Sequence, residues 1–170
     1  MNINELYLKT IFCCMSCDGD IATEEIAFLK EFVTKSSDLV NGLDVNSLLD
    51  DYVRQINEKG LRFLKQYLSD LSHYEKTFDQ EQVIIRLVIE TIAADNVIQY
   101  SEVSFFKKIR KCLDLSKDSI AELFNDFNFF EKFKEVELED FFLEDNEEEE
   151  FEWNDYTFDT IKLNMEIPKE

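Results

Sequence analysis

Asp18-Gly19-Asp20-Ile21-Ala22-Thr23-Glu24-Glu25-Ile26-Ala27-Phe28-Leu29-Lys30 returns in altered form as Asp95-Asn96-Val97-Ile98-Gln99-Tyr100-Ser101-Glu102-Val103-Ser104-Phe105-Phe106-Lys107. The offset is a constant 77 residues. In each copy an Asp is followed three residues on by Ile and seven residues on by Glu. A β-branched residue, a Phe and a Lys then recur in step. A fixed internal period of this kind marks a duplicated structural unit. It also sets two acidic loops in equivalent places, each between two stretches of helical apolar spacing.

Working outward, residues 3–17 read as a helix with a broad apolar face of Leu6, Leu8, Ile11, Phe12, Met15 and the neighbouring cysteines. Gly19 suits the left-handed turn that ends it. A second helix starts near Thr23, a candidate cap, with Glu24 and Glu25 at its positive end. Ser36 to Asp44 is a loop. Asn46 or Ser47 can cap a helix through Leu48, Leu49, Tyr52, Val53 and Ile56, and Glu58-Lys59-Gly60 breaks it. Leu61, Phe63, Leu64, Tyr67, Leu68 and Leu71 form the next. Asp79 opens a strongly apolar, central helix over 80–94, which runs into the second loop. One helix from about Ser101 to Leu113 and another, capped by Ser116, from Lys117 to about Phe130 follow.

With 45% apolar residues in 170, the chain can bury an ordinary core, and three glycines and one proline are too few for a turn-rich β fold. The expected fold is all-α: a single bundle of about seven helices built from two related halves, over residues 1–130. Residues 131–170 carry 16 Asp and Glu against 4 Lys, net −12 of the chain's −20. So much unpaired charge stays in water. Yet Phe141, Phe142, Leu143, Trp153, Tyr156, Ile161, Leu163 and Met165 are apolar. An acidic C-terminal appendage that docks its apolar residues and presents its acids fits both facts. Ile161, Leu163, Met165 and Ile167 share one parity, as in a strand or an extended docking segment, and Glu147 to Glu150 reads as a solvated connector.

The charge repels phosphate backbones and anionic membranes, so no nucleic acid is expected as a partner; basic protein surfaces and cations are. No apolar run approaches a membrane span of about 18 residues. Met1-Asn2-Ile3-Asn4-Glu5 lacks the basic region of a signal peptide, and the four cysteines are not spaced as a secreted disulfide scaffold. The expected location is cytoplasmic.

In each loop the Asp and the Glu seven residues later can approach each other and offer oxygens to a hard cation. The pattern is not an EF-hand, because Ala22 and Leu29 stand where positions five and twelve need ligands. The plainer alternative is structural, with Ile21 and Ile98 pinning the loops and Glu25 and Glu102 stabilising helix starts. Cys14-x-x-Cys17 lacks the further ligands of a zinc site and reads as core packing. His73 is the single histidine, at a helix end, and no nucleophile elbow or phosphate loop accompanies it. The chain therefore reads as a non-enzyme. Phe124, Phe127, Phe129, Phe130 and Phe133 read mostly as core.

Asp-Gly-x-Ile-x-x-x-Glu followed by helical apolar spacing resembles the signature of the TerB-like domain family, named for a bacterial tellurite-resistance protein. Ile92-Ala93-Ala94-Asp95 and the turn Cys112-Leu113-Asp114-Leu115-Ser116 resemble the family too, so the resemblance covers roughly residues 5–130. It implies an all-helical fold and, in some members, metal held by acidic side chains. Matched residue by residue, the metal candidates are Asp18, Asp20 and Glu25 in the first half, and Asp95 and Glu102 in the second. Asn96 replaces the Gly, and Val97 stands where an acid often does, so the second loop offers fewer ligands. Ala22 and Gln99 replace the family's usual polar cap. The first expectation is a bacterial protein acting through protein–protein contacts in stress or tellurite-resistance-type responses. The second is a divalent-cation binder or sensor, with Ca²⁺, Mg²⁺ or Mn²⁺ suited to oxygen-only ligation.

Overall fold

Helical apolar spacing on both sides of each repeat loop produces paired helices. Helix α1 (Ile3–Ser16) enters the first loop and α2 (Thr23–Lys35) leaves it. Helices α3 (Val45–Lys59) and α4 (Leu61–His73) follow. Helix α5 (Phe78–Ala94) enters the second loop and α6 (Tyr100–Lys111) leaves it, ahead of α7 (Lys117–Asp126) and the short α8 (Phe129–Lys132). The computed structural model describes residues 1–143, and among them there is no strand. The protein is an all-α bundle, with helix pairs at equivalent places in the two repeats. None of the described helices is long and apolar enough to cross a membrane.

The two incoming helices, α1 and α5, make the most extensive helix–helix contact. Each is apolar on most of its circumference, as a core helix must be. α1 buries Leu6, Leu8, Ile11, Phe12 and Met15, and α5 buries Ile84, Ile85, Leu87, Val88 and Ile92. Their buried hydroxyls fold back on their own helices, so no donor is stranded. Thr10 Oγ1 donates to Leu6 O at 2.7 Å, Ser16 Oγ to Phe12 O at 2.9 Å and Thr91 Oγ1 to Leu87 O at 2.7 Å. Cys13, Cys14 and Cys17 are free and buried in the same core, and burial pushes all three thiols up.

Several helix ends differ from the sequence reading. The cap of α3 is Asp44, whose Oδ1 accepts Ser47 N–H at 3.2 Å, rather than Asn46 or Ser47. Helix α5 starts one residue ahead of Asp79, capped by Thr77 in a reciprocal pair with Gln80. The helix expected through about Phe130 stops at Asp126. Asn128 then takes φ 50°, the one positive φ outside glycine among the described residues, and α8 begins afresh. Asn tolerates that left-handed geometry, which ends a helix. The described chain therefore has eight helices where the spacing gave about seven. Ser116 caps α7 as expected, accepting Ser119 N–H at 3.1 Å. The turn before it is tied to the core, because both carboxylate oxygens of buried Glu81 accept Asp114 N–H at 3.2 and 3.0 Å.

Beyond α8 the chain stays on the bundle through Phe142, whereas Leu143, expected to dock, is exposed. Phe133 and Phe141 are buried among Phe106, Phe124, Phe129 and Phe130. The expectations for Glu147 to Glu150, Trp153, Tyr156 and the alternating Ile161 to Ile167 segment lie outside the described residues.

Candidate functional site: the paired acidic loops

Each loop is built from its own carboxylates. In the first, Gly19 at φ 85° returns its N–H to Ser16 O at 3.0 Å. Asp18 Oδ1 accepts Asp20 N–H at 3.0 Å, and Asp20 Oδ1 accepts Ile21 N–H at 2.9 Å. In the second, Asp95 Oδ1 accepts Asn96 N–H at 2.7 Å. Ile21 and Ile98 pack, partly buried, against the core and hold both loops down.

The two glutamates do the same job in both copies. Glu25 Oε2 accepts Ala22 N–H at 2.9 Å, and Glu102 Oε2 accepts Gln99 N–H at 2.9 Å. Each reaches back from the first turn to the N–H just before its helix. This is the carboxylate half of a capping box. The other half is missing: Ala22 has no side-chain acceptor, and Gln99 makes no capping bond. Thr23 is the first helical residue of α2, not its cap.

Both glutamates are nearly sealed from water, at 4% exposure each. Burial pushes the Glu25 carboxyl up to about 8, opposed by the Ala22 N–H and reinforced by Glu102, Asp18 and Asp95. Burial likewise raises Glu102 to about 7, opposed by the Gln99 N–H and reinforced by Asp18 and Asp95. Asp18 is exposed by surface area although many protein atoms crowd it. That crowding raises its carboxyl, with Asp20 and Asp95 adding to the rise and backbone N–H bonds opposing it. Solvent screening keeps the energetic weight of that shift small.

Asp18 and Asp95 act on both Glu25 and Glu102, and Glu102 acts on Glu25, so the α1–α5 contact puts the two loops within electrostatic reach of each other. Asp20 stays at the exposed outer side, bonded within its own loop. Behind the loops stand Cys14 and Cys17, whose thiols feel Glu25 and Glu102 as well as burial. Such thiols stay protonated and offer neither a nucleophile nor a thiolate ligand. His73 lies exposed at the end of α4, its Nδ1 2.7 Å from Ser69 O.

Two features of the site were not read from the sequence. Val97 and Tyr100 flank the second loop at 55% and 53% exposure. The signal was available: Val97 stands where an acid was expected, and Tyr100 precedes the first buried position of α6. The other feature is the approach of the glutamates across the repeat, a tertiary fact without a local signature. Among the described residues no group of three or more His, Cys, Asp or Glu side chains is arranged to hold a metal ion. Comparison with protein-family models, with curated proteins and with solved structures finds no match for this chain.

Proposed function

We propose that this chain is a non-enzymatic, TerB-like helical protein that works through contacts with other proteins, using the paired loops as its contact surface. One observation carries the reading: the fold sets exposed Asp18 and Asp20 and half-buried Asp95, from two distant repeats, around the same sealed glutamates, beside exposed Val97 and Tyr100. Exposed apolar side chains beside charges of one sign suit a complementary partner, here a basic protein surface. The resemblance adds the setting, a bacterial stress or tellurite-resistance-type response in the cytoplasm. The test is capture of cellular partners by the full chain and by Asp20→Lys/Val97→Ala. Partners held by both alike would reject the loops as the contact surface. Loss from the variant, together with lower tellurite tolerance in a host expressing it, would support the reading.

A second reading, a divalent-cation binder or sensor, is favoured by the cross-loop coupling of four acids. Burial raises Glu25 first and the neighbouring acids add to it; a dication drawn between the loops would offset both. Because no ready-made cage is present among the described residues, binding would require Asp18, Asp20 and Glu25 to close in, with Asp95 and Glu102 as the poorer set. Calorimetric titration with Ca²⁺, Mg²⁺ and Mn²⁺ decides it: no heat and no thermal stabilisation at millimolar ion would reject it.

A further inference from the structure

The segment after α8, residues 134–143, is attached in an unusual way. Among the described residues its backbone hydrogen bonds close within itself: Asp140 N–H to Glu137 O at 3.0 Å, and Phe142 and Leu143 N–H to Glu139 O, both at 3.0 Å. What fixes it to the bundle is side chains. Phe141 is fully buried, with its ring centroid 5.1 Å from Phe106, 4.9 Å from Phe124, 5.7 Å from Phe129 and 6.1 Å from Phe130. The Phe142 ring lies under two cations, 5.0 Å from the Arg110 guanidinium and 5.3 Å from Lys117 Nζ. Lys117 also pairs with Glu139.

The rings that receive Phe141 also hold one another. Phe106 is on α6, Phe124 on α7, and Phe129 and Phe130 on α8. They pack on one another directly, with Phe106–Phe124 centroids at 5.4 Å and Phe124–Phe129 at 5.0 Å. The closed state also carries a cost. Arg110 Nε is buried with no hydrogen-bond partner. A donor sealed without an acceptor is penalised until water returns to it. Lifting the segment uncovers the Phe142 side of that guanidinium, so rehydration of Arg110 works against closure. The Lys117–Glu139 pair is exposed and holds little.

We propose that residues 134–143 form a releasable strap, occupying in cis a groove that binds acidic peptides bearing paired aromatic residues. The chemistry of the partner is read from the groove. Its floor takes an aromatic ring between four phenylalanines, and its rim, Arg110 and Lys117, takes a second ring and a carboxylate. Glu139-Asp140-Phe141-Phe142 meets all three requirements and shows the spacing that fits. Arg110 is in the last turn of α6, whereas Glu102 is in the first, so this surface is distinct from the paired loops and selects the opposite charge. A strap in cis lowers apparent affinity for a ligand in trans by the fraction of time the groove is open.

The experiment uses the full chain and a labelled peptide of residues 136–143, followed by fluorescence anisotropy. Phe141→Ala/Phe142→Ala, checked by circular dichroism for retained helix, should bind the peptide at least about tenfold more tightly than the unaltered chain, because its groove is vacant. A peptide with Lys at 139 and 140 should lose binding. A helical variant that does not bind, or equal binding by both chains, overturns the proposal. Should that variant fail to fold, Glu139→Lys/Phe142→Ala keeps Phe141 but removes the rim contacts; its strap should open more often and bind the peptide more tightly than the unaltered chain, and equal binding would overturn the proposal. Hydrogen exchange of the unaltered chain gives a separate reading. The amides of Phe142 and Leu143 should exchange well before those of α5; exchange in step with α5 would mean that the segment is inseparable from the bundle and would overturn the strap.

Discussion

The two repeat loops carry out one construction with different residues. In both, a glutamate bonds the N–H before the outgoing helix and an isoleucine anchors the loop. The first turns on a glycine at φ 85°; the second has Asn96, which is not among the residues of positive φ. The first has a second aspartate, Asp20, where the second has exposed Val97. What persisted through duplication is thus the buried glutamate and the apolar pin, the parts that the core needs. What diverged is the outer side, where chemistry toward solvent is set.

The largest effect that can break this comparison comes from pH. Glu25 and Glu102 have folded-state values raised to about 8 and about 7 from an ordinary value of 4.5. A carboxyl held above its unfolded value binds its proton more firmly in the native state. That stabilising contribution is fully present below about pH 4.5 and is lost progressively as pH rises through 7 and 8. Thermal melts from pH 5 to pH 9 should show Tm falling by several degrees, with the slope gone in Glu25→Gln/Glu102→Gln. A flat profile in the unaltered chain would mean that the glutamates are not sealed.

The single variants sharpen the contrast. At pH 8, Glu25→Gln should stabilise more than Glu102→Gln, since Glu25 is held higher and Gln keeps an acceptor for the N–H. Denaturant midpoints at matched pH measure the order, and the reverse order would place the heavier burial penalty on the second loop. Next comes the turn itself. Gly19→Ala should cost about 1 kcal/mol, because a Cβ is disfavoured at that φ, whereas Asn96→Ala should stay within about 0.5 kcal/mol. Equal costs would show that both turns demand the same backbone. The smallest effect concerns cations. If a millimolar divalent ion shifts Tm at all, Asp18→Asn should abolish the shift and Asp95→Asn only reduce it.

Much of the fold was legible because its signals are local. The helical spacing, Gly19 and Ser116 each act over a few residues, and the 77-residue offset is one short local pattern met twice. The caps at Asp44 and Thr77 were missed by two or three positions, since Asn, Asp, Ser and Thr crowd both sites and a cap is chosen by where the helix packs. The break at Asn128 was hidden by a run of phenylalanines with good helical spacing across it. At the site, the residues were legible but their meeting was not. Sequence spacing placed Glu25 and Glu102 at equivalent helix starts; only the packing of α1 against α5 makes them neighbours.

The three sealed thiols in and just after α1 have a practical consequence. Cys13, Cys14 and Cys17 are at most 4% exposed, the first two in the helix that α5 covers and the third just past its end. A small alkylating reagent therefore reaches them only in the moments when the two repeats part. Their labelling rate is an internal clock for that separation, counted by mass spectrometry one adduct at a time, with no probe added and no residue changed.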